Sequence, residues 1–112
     1  MIVCIFGGMP KNYRLVFDEV ILKQLKKAGK DNSTKQILSK MLDKIEGMGP
    51  LAGKLLDSQL NLFEARAMRP PIRLYYKIIE TIKEAYVFEY EMKTSQEKQS
   101  KTIQRLKWKL KP

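Results

Sequence analysis

The chain has 112 residues, 44% apolar and 30% charged, with 22 Lys and Arg against 12 Asp and Glu for a formal net charge of +10. That length supports one domain with a modest core, and the apolar share is that of a globular chain rather than a disordered one. Having no histidine and one cysteine, Cys4, it excludes His-ligated metal sites, Ser-His or Cys-His nucleophile pairs and an internal disulfide, while the positive excess points to polyanionic or acidic partners.

The opening MIVCIFGG lacks a basic n-region, and its apolar run is too short for a signal peptide or a membrane span. Residues 1–8 are expected to be a leader or a short extra strand, ahead of a single domain over 9–112. A soluble, cytoplasmic protein is expected. Tyr13 to Phe17 alternates and is rich in strand formers, so it predicts a first strand. Asp18 and Glu19 suit a helix start, Val20, Ile21, Leu25 and Ala28 give that helix an apolar face, and Gly29 is a stop. Ser33 with Gln36 reads as the capping box of a second helix, whose stripe is Ile37, Leu38, Met41, Leu42 and Ile45.

GMGPLAGKLLD, residues 47–57, imitates a phosphate-binding loop but fails its spacing. Three residues separate Gly49 from Gly53 where four are needed, and Leu55 replaces the Ser or Thr. A turn-rich connection carrying one cation, Lys54, is the expectation. Three strands follow at short intervals, Leu60–Arg66, Ile72–Ile79 and Ala85–Lys93, and such short connections predict an antiparallel meander. A Thr94-x-x-Glu97 capping box then starts a basic helix with Ile103, Leu106 and Leu110 as its buried stripe. The fold class is α+β: strand, helical hairpin, three-stranded antiparallel meander, C-terminal helix.

Because successive strand residues point to opposite faces, the meander sorts itself. Phe63, Ala65, Ile72, Leu74, Tyr76, Ile78, Tyr86, Phe88, Tyr90 and Met92 are expected to line a core under the helices. Glu64, Arg66, Arg73, Tyr75, Lys77, Glu89, Glu91 and Lys93 are expected on an open face. Cross-strand pairs of opposite charge explain much of such a face, each contributing roughly 0.2–1 kcal/mol. Arginine usage adds a second signal. Only five of the 22 cations are arginine, yet Arg66, Arg69 and Arg73 fall within eight residues. Arginine's planar fork suits bidentate grip on phosphate or carboxylate.

The run GPLAGKLLDSQLNLFEARAMRPPIRLYYKI, followed by YVFEYEMKTSQEKQSKTIQRLKWKL, resembles the RelE/ParE toxin superfamily and within it the HigB-like branch. The matching positions are Leu62, Phe63, Glu64, Arg66, Pro71, Arg73, Leu74 and Tyr76, then Lys93, Thr94, Ser95 and Gln96. The resemblance implies the toxin of a type II toxin–antitoxin system: a ribosome-dependent mRNA endoribonuclease that inhibits translation. It needs no metal or cofactor, because the ribose 2′-OH attacks the adjacent phosphorus. Its partners would be a cognate antitoxin, mRNA and the ribosome, and no membrane. Carried over by position, Arg66 and Arg73 clamp the phosphate, Lys93 or Glu64 acts as base, and Tyr75 donates a proton or stacks. Lys54, Lys77, Lys98, Lys101 and Arg105 would bind RNA. The sequence departs from many members in having no histidine on the last strand. Two other classes stay open: a gyrase inhibitor of the ParE type, and an inactive nucleic-acid-binding module using the basic helix around Trp108.

Overall fold

A computed structural model describes residues 11–92 and 95–110. The leader, Lys93 and Thr94 of the expected site, and Lys111 lie outside the described residues. Strands β1 (Arg14–Phe17), β2 (Lys54–Asp57), β3 (Leu62–Met68), β4 (Pro71–Ile79) and β5 (Glu84–Met92) form one sheet in the order β1-β5-β4-β3-β2. Helices α1 (Glu19–Ala28) and α2 (Asn32–Met48) follow β1, and α3 (Gln96–Leu110) follows β5. β3, β4 and β5 are the antiparallel meander, while β1 lies parallel to β5 on the far edge. None of these helices is long and apolar enough to cross a membrane.

Local chemistry sets the helix ends. The Asp18 carboxylate accepts from the Val20 amide and caps α1, and the Gly29 amide closes its last turn on Leu25. The α2 cap is Asp31 rather than Ser33. Its carboxylate takes the Ser33 and Thr34 amides, a stronger charge-assisted cap than a hydroxyl provides. At α3, Ser95 Oγ accepts from the Lys98 amide.

The connection after α2 is more ordered than expected. Residues Gly49–Ala52 make a 3₁₀ turn and β2 adds a fifth strand, so Lys54 stands on a strand opposite Glu64. The two glycines are there for packing. Gly49 has φ +55°, and a Cβ on it would lie 2.3 Å from the Tyr13 ring; its carbonyl accepts the Tyr76 hydroxyl at 2.9 Å. A Cβ on Gly53 would lie 2.5 Å from the Glu64 carbonyl oxygen, so only glycine lets β2 reach β3.

The main core lies between the α1–α2 hairpin and one sheet face. Ile21, Leu38 and Ile45 meet Phe63, Leu74 and Tyr76, with the Phe63 and Tyr76 rings stacked at 5.4 Å. The strict alternation expected along β5 fails at one place. Between Tyr75 and Tyr76 the register slips, with Tyr75 opposite Glu89 but Tyr76 opposite Val87. This bulge leaves Ala85 and Val87 on the core face and sends Tyr86 and Phe88 to the other side. Beyond it Tyr90 returns to the main core.

The opposite face is not open. α3 lies across it, and Leu106, flanked by Ile103 and Leu110, packs on Leu62, Tyr75 and Phe88 as a second, smaller core. A helix carrying an apolar stripe has to bury it, and after the meander this face was the one left uncovered.

Candidate functional site

Strand register arranges the face under α3 in cross-strand rows. One row reads Lys54, Glu64, Tyr75, Glu89, and the next reads Arg66, Arg73, Glu91. Arg66 and Arg73 are therefore direct neighbours on one face, about 4.5–5.5 Å apart at Cβ. Two fixed cations placed opposite each other repel, so the pair needs anions nearby. Glu64 supplies one: its carboxylate takes Arg66 Nε at 2.5 Å, and the carboxylate strengthens the hold of that guanidinium on its proton. Arg66 keeps half of its side chain in solvent.

Arg73 is the unusual member. It is 8% exposed, and its Nη1 is buried with no hydrogen-bond partner among the described residues. Leaving a buried N–H of a charged group unpaired costs about 1–3 kcal/mol or more, so native structures seldom tolerate it without a reason. Arg66 and Arg73, with Met68 and Pro71 of the hairpin, line a cavity of about 140 Å³. That space is several times the ~30 Å³ share of one water and below the ~300 Å³ of small-molecule pockets. It fits an oxyanion such as one phosphate group.

The remaining expected site residues lie deeper. Tyr75 is fully buried, and its hydroxyl donates to Glu91 Oε1 at 2.6 Å. Burial, then that carboxylate, pushes its phenol well above the usual tyrosine range. It stays protonated, and with its ring covered it has no free surface on which a base could stack. Glu64 is 1% exposed, and its second oxygen takes Gln99 Nε2 from α3 at 2.6 Å. A carboxylate held from two sides is a poor general base while α3 is in place. Arg105, expected to meet RNA, forks onto Glu89 at 2.9 and 2.7 Å while about half of its side chain stays in solvent. Lys98 and Lys101 lie exposed on the outer side of α3, Lys101 3.7 Å from Glu97. Lys54 is exposed beside the arginine row, whereas half-buried Lys77 lines a separate cavity under the C-terminal end of α3.

Residues that alternation did not single out also belong to the site. Gln99 holds Glu64, and Thr102 Oγ1 donates to Glu91 Oε2 at 2.9 Å. Both sit on the inner side of α3, one turn apart from each other and in line with Leu106. That spacing in the sequence was the available signal.

No family model matches the chain, and neither does any curated protein. Solved structures do match. Free RelE toxin of Escherichia coli is 24% identical with a TM-score of 0.59, over 84% of this chain and 98% of RelE. The intact E. coli RelBE toxin–antitoxin complex matches at 24% identity and TM-score 0.58, over 74% of this chain and 99% of the matched one. The RelBE2 toxin–antitoxin complex of Mycobacterium tuberculosis matches at 18% identity and TM-score 0.60, over 73% and 99%. The fold is RelE-like. The β3–β4 hairpin of the RelE-like meander holds the arginine row, and almost the whole length of those RelE chains is matched.

Proposed function

We propose that this protein is the toxin of a type II toxin–antitoxin pair, of the HigB-like kind, and acts in the cytoplasm as a ribosome-dependent mRNA endoribonuclease. The observation that carries this reading is the Arg66–Arg73 pair in a RelE-like fold, lining a phosphate-sized cavity, with an Arg73 Nη1 that is buried and unpaired among the described residues. In-line attack of a ribose 2′-OH places extra negative charge on the phosphoryl oxygens, and preorganised guanidinium donors stabilise that charge more in the transition state than in the ground state. Arg73 supplies a donor that is already desolvated and has no partner among the described residues, and Arg66 the neighbouring fork. Lys54, exposed on the neighbouring strand, is the cation we assign to the flanking backbone. An acidic antitoxin suits the lysine-rich α1–α2 hairpin and the chain's positive charge.

Arg73→Ala is expected to lower mRNA cleavage on the order of a hundredfold to a thousandfold and to relieve growth arrest, with antitoxin binding retained. Arg73→Lys keeps the charge but loses the planar fork and should be nearly as impaired. Growth arrest by both variants at the parent level would end the nuclease reading. The burial of Tyr75 and Glu64 favours a second reading, an RNA-binding member without cleavage. Binding abolished by Arg73→Ala, with no cleavage by the parent on ribosomes, would select it.

A further inference from the structure

We propose that Met68 and Pro71, at the tip of the β3–β4 hairpin, form an apolar shelf for one nucleobase of the bound RNA strand. This rests on the reading of Arg66 and Arg73 as the ligands of that strand's phosphate. Register puts the shelf in place. Met68 pairs with Pro71 and Arg66 with Arg73, so the two rungs lie on the same face of the hairpin. They are two residues apart along each strand, about 6.5 Å, a gap that one ribose spans. All four side chains line the same cavity. Met68 is 81% exposed and Pro71 is exposed too, whereas Ile72 beside them enters the main core. Single exposed apolar side chains are ordinary on a protein surface. This pair differs in sharing a wall with a desolvated guanidinium that has no partner among the described residues.

The size of the cavity decides where the base goes. At about 140 Å³ it admits a phosphate group but not a whole nucleotide, so the base lies outside, over the rim. On the tip side that rim is the Met68 thioether chain and the Pro71 ring. On the other side of the arginine rung stand Glu64 and Tyr75, both buried, with exposed Lys54 paired to Glu64. That side offers a cation to a second phosphate and no free ring face to a base. From its tip toward β2 the hairpin therefore presents sites for base, phosphate and phosphate. A base gains dispersion and apolar burial on such a shelf, and a thioether makes favourable contact with an aromatic ring. Neither side chain carries a hydrogen-bond donor, so the shelf accepts every base and favours the larger purines. Pro71 loses no side-chain entropy on contact but Met68 does, which keeps the gain below that of an aromatic platform. Holding the base also fixes the ribose between it and the phosphate, so Met68 and Pro71 position the 2′-OH without taking part in its chemistry.

Affinity of the full chain for two probes tests the shelf. One is a single-stranded, adenine-rich 2′-O-methyl oligoribonucleotide, which lacks the attacking hydroxyl and stays uncut. The other has the same length and the same phosphates but carries no bases. Met68→Ala should weaken binding of the base-bearing probe about fivefold, at the low end of stacking on an aromatic side chain. It should leave the abasic probe unchanged. Met68→Leu keeps the apolar surface and should bind both probes like the parent. Both variants alter a side chain in solvent, so the melting temperature should stay at the parent value. Equal weakening of both probes by Met68→Ala, or of neither, would overturn the shelf and leave the phosphate grip standing. The grip is read on Arg73→Ala, which should weaken both probes and lower the salt slope by about 0.7 for one lost phosphate. A parent that binds neither probe, or an Arg73→Ala protein that binds both at parent strength, would overturn the phosphate grip and the shelf with it.

Discussion

The two faces of the sheet are built on opposite principles. The face under α1 and α2 is apolar throughout, with Phe63, Leu74 and Tyr76 meeting Ile21, Leu38 and Ile45. The face under α3 carries Glu64, Arg73, Tyr75, Glu89 and Glu91 at buried positions or at their margin, around a four-residue apolar cluster. Buried charge costs stability unless it is paired, and apolar packing of the same volume does as well or better. The first face therefore maintains the fold, and the second keeps groups that folding alone would not select.

Substitutions on the two faces should separate cleanly. Leu74→Ala, in the main core, is expected to cost about 2–5 kcal/mol in denaturant unfolding, whereas Arg73→Ala should leave the domain folded and act on activity. A Leu74→Ala protein as stable as the parent would break the distinction. Gly53→Ala should cost about 1–3 kcal/mol as an overpacking change, because its Cβ would collide with the Glu64 backbone and the Tyr76 hydroxyl. It perturbs both faces, so loss of stability and of RNA binding together is the expected readout.

Acid should loosen the second face first. Asp57 is held below the usual carboxylate range by the Leu60 amide and then by Lys107. For Asp18 burial pushes upward, but bonds from the Val20 amide, Lys109 and Tyr86 outweigh it and the net shift is downward. Groups whose pKa falls on folding contribute stability above their unfolded value, 3.8 here, and lose it as pH drops through the lower folded value. The α3 resonances should therefore broaden or shift below about pH 4, as should the first turn of α1 that Asp18 caps, while the buried Leu38, Met41 and Ile45 stretch of α2 persists, as read by NMR. Simultaneous loss of both would contradict the separation. The smallest effect is expected at the outer strand edge. Arg14→Ala removes the pair between exposed Arg14 and the largely covered Glu84 and should change stability by about 0–1 kcal/mol.

Much of this was legible in the residues. Helical spacing gave the α2 stripe, and short connections gave the meander. Period-two alternation put Arg66 and Arg73 on one face. It failed on β5 because a bulge leaves no compositional mark, and Phe88 changed sides with it. It also failed to show that the charged face was covered. The Ile103, Leu106 and Leu110 stripe was read correctly, but periodicity names the buried side of a helix and not the surface it lands on. Burial of Glu64 and Tyr75 followed from that landing site, and so did the fork of Arg105 onto Glu89. The loop at 47–57 hid a strand because its glycines, which suggest a turn, serve close backbone approach at Gly49 and Gly53.

The most direct test of the division between the faces is an NMR titration of the full chain with the uncut 2′-O-methyl oligoribonucleotide. The account predicts that shifts concentrate at Lys54, Arg66, Arg73 and along α3, weaken with added salt, and leave the Leu38, Met41 and Ile45 side of α2 unmoved. Shifts centred on the α1–α2 hairpin, with the arginine row silent, would contradict it.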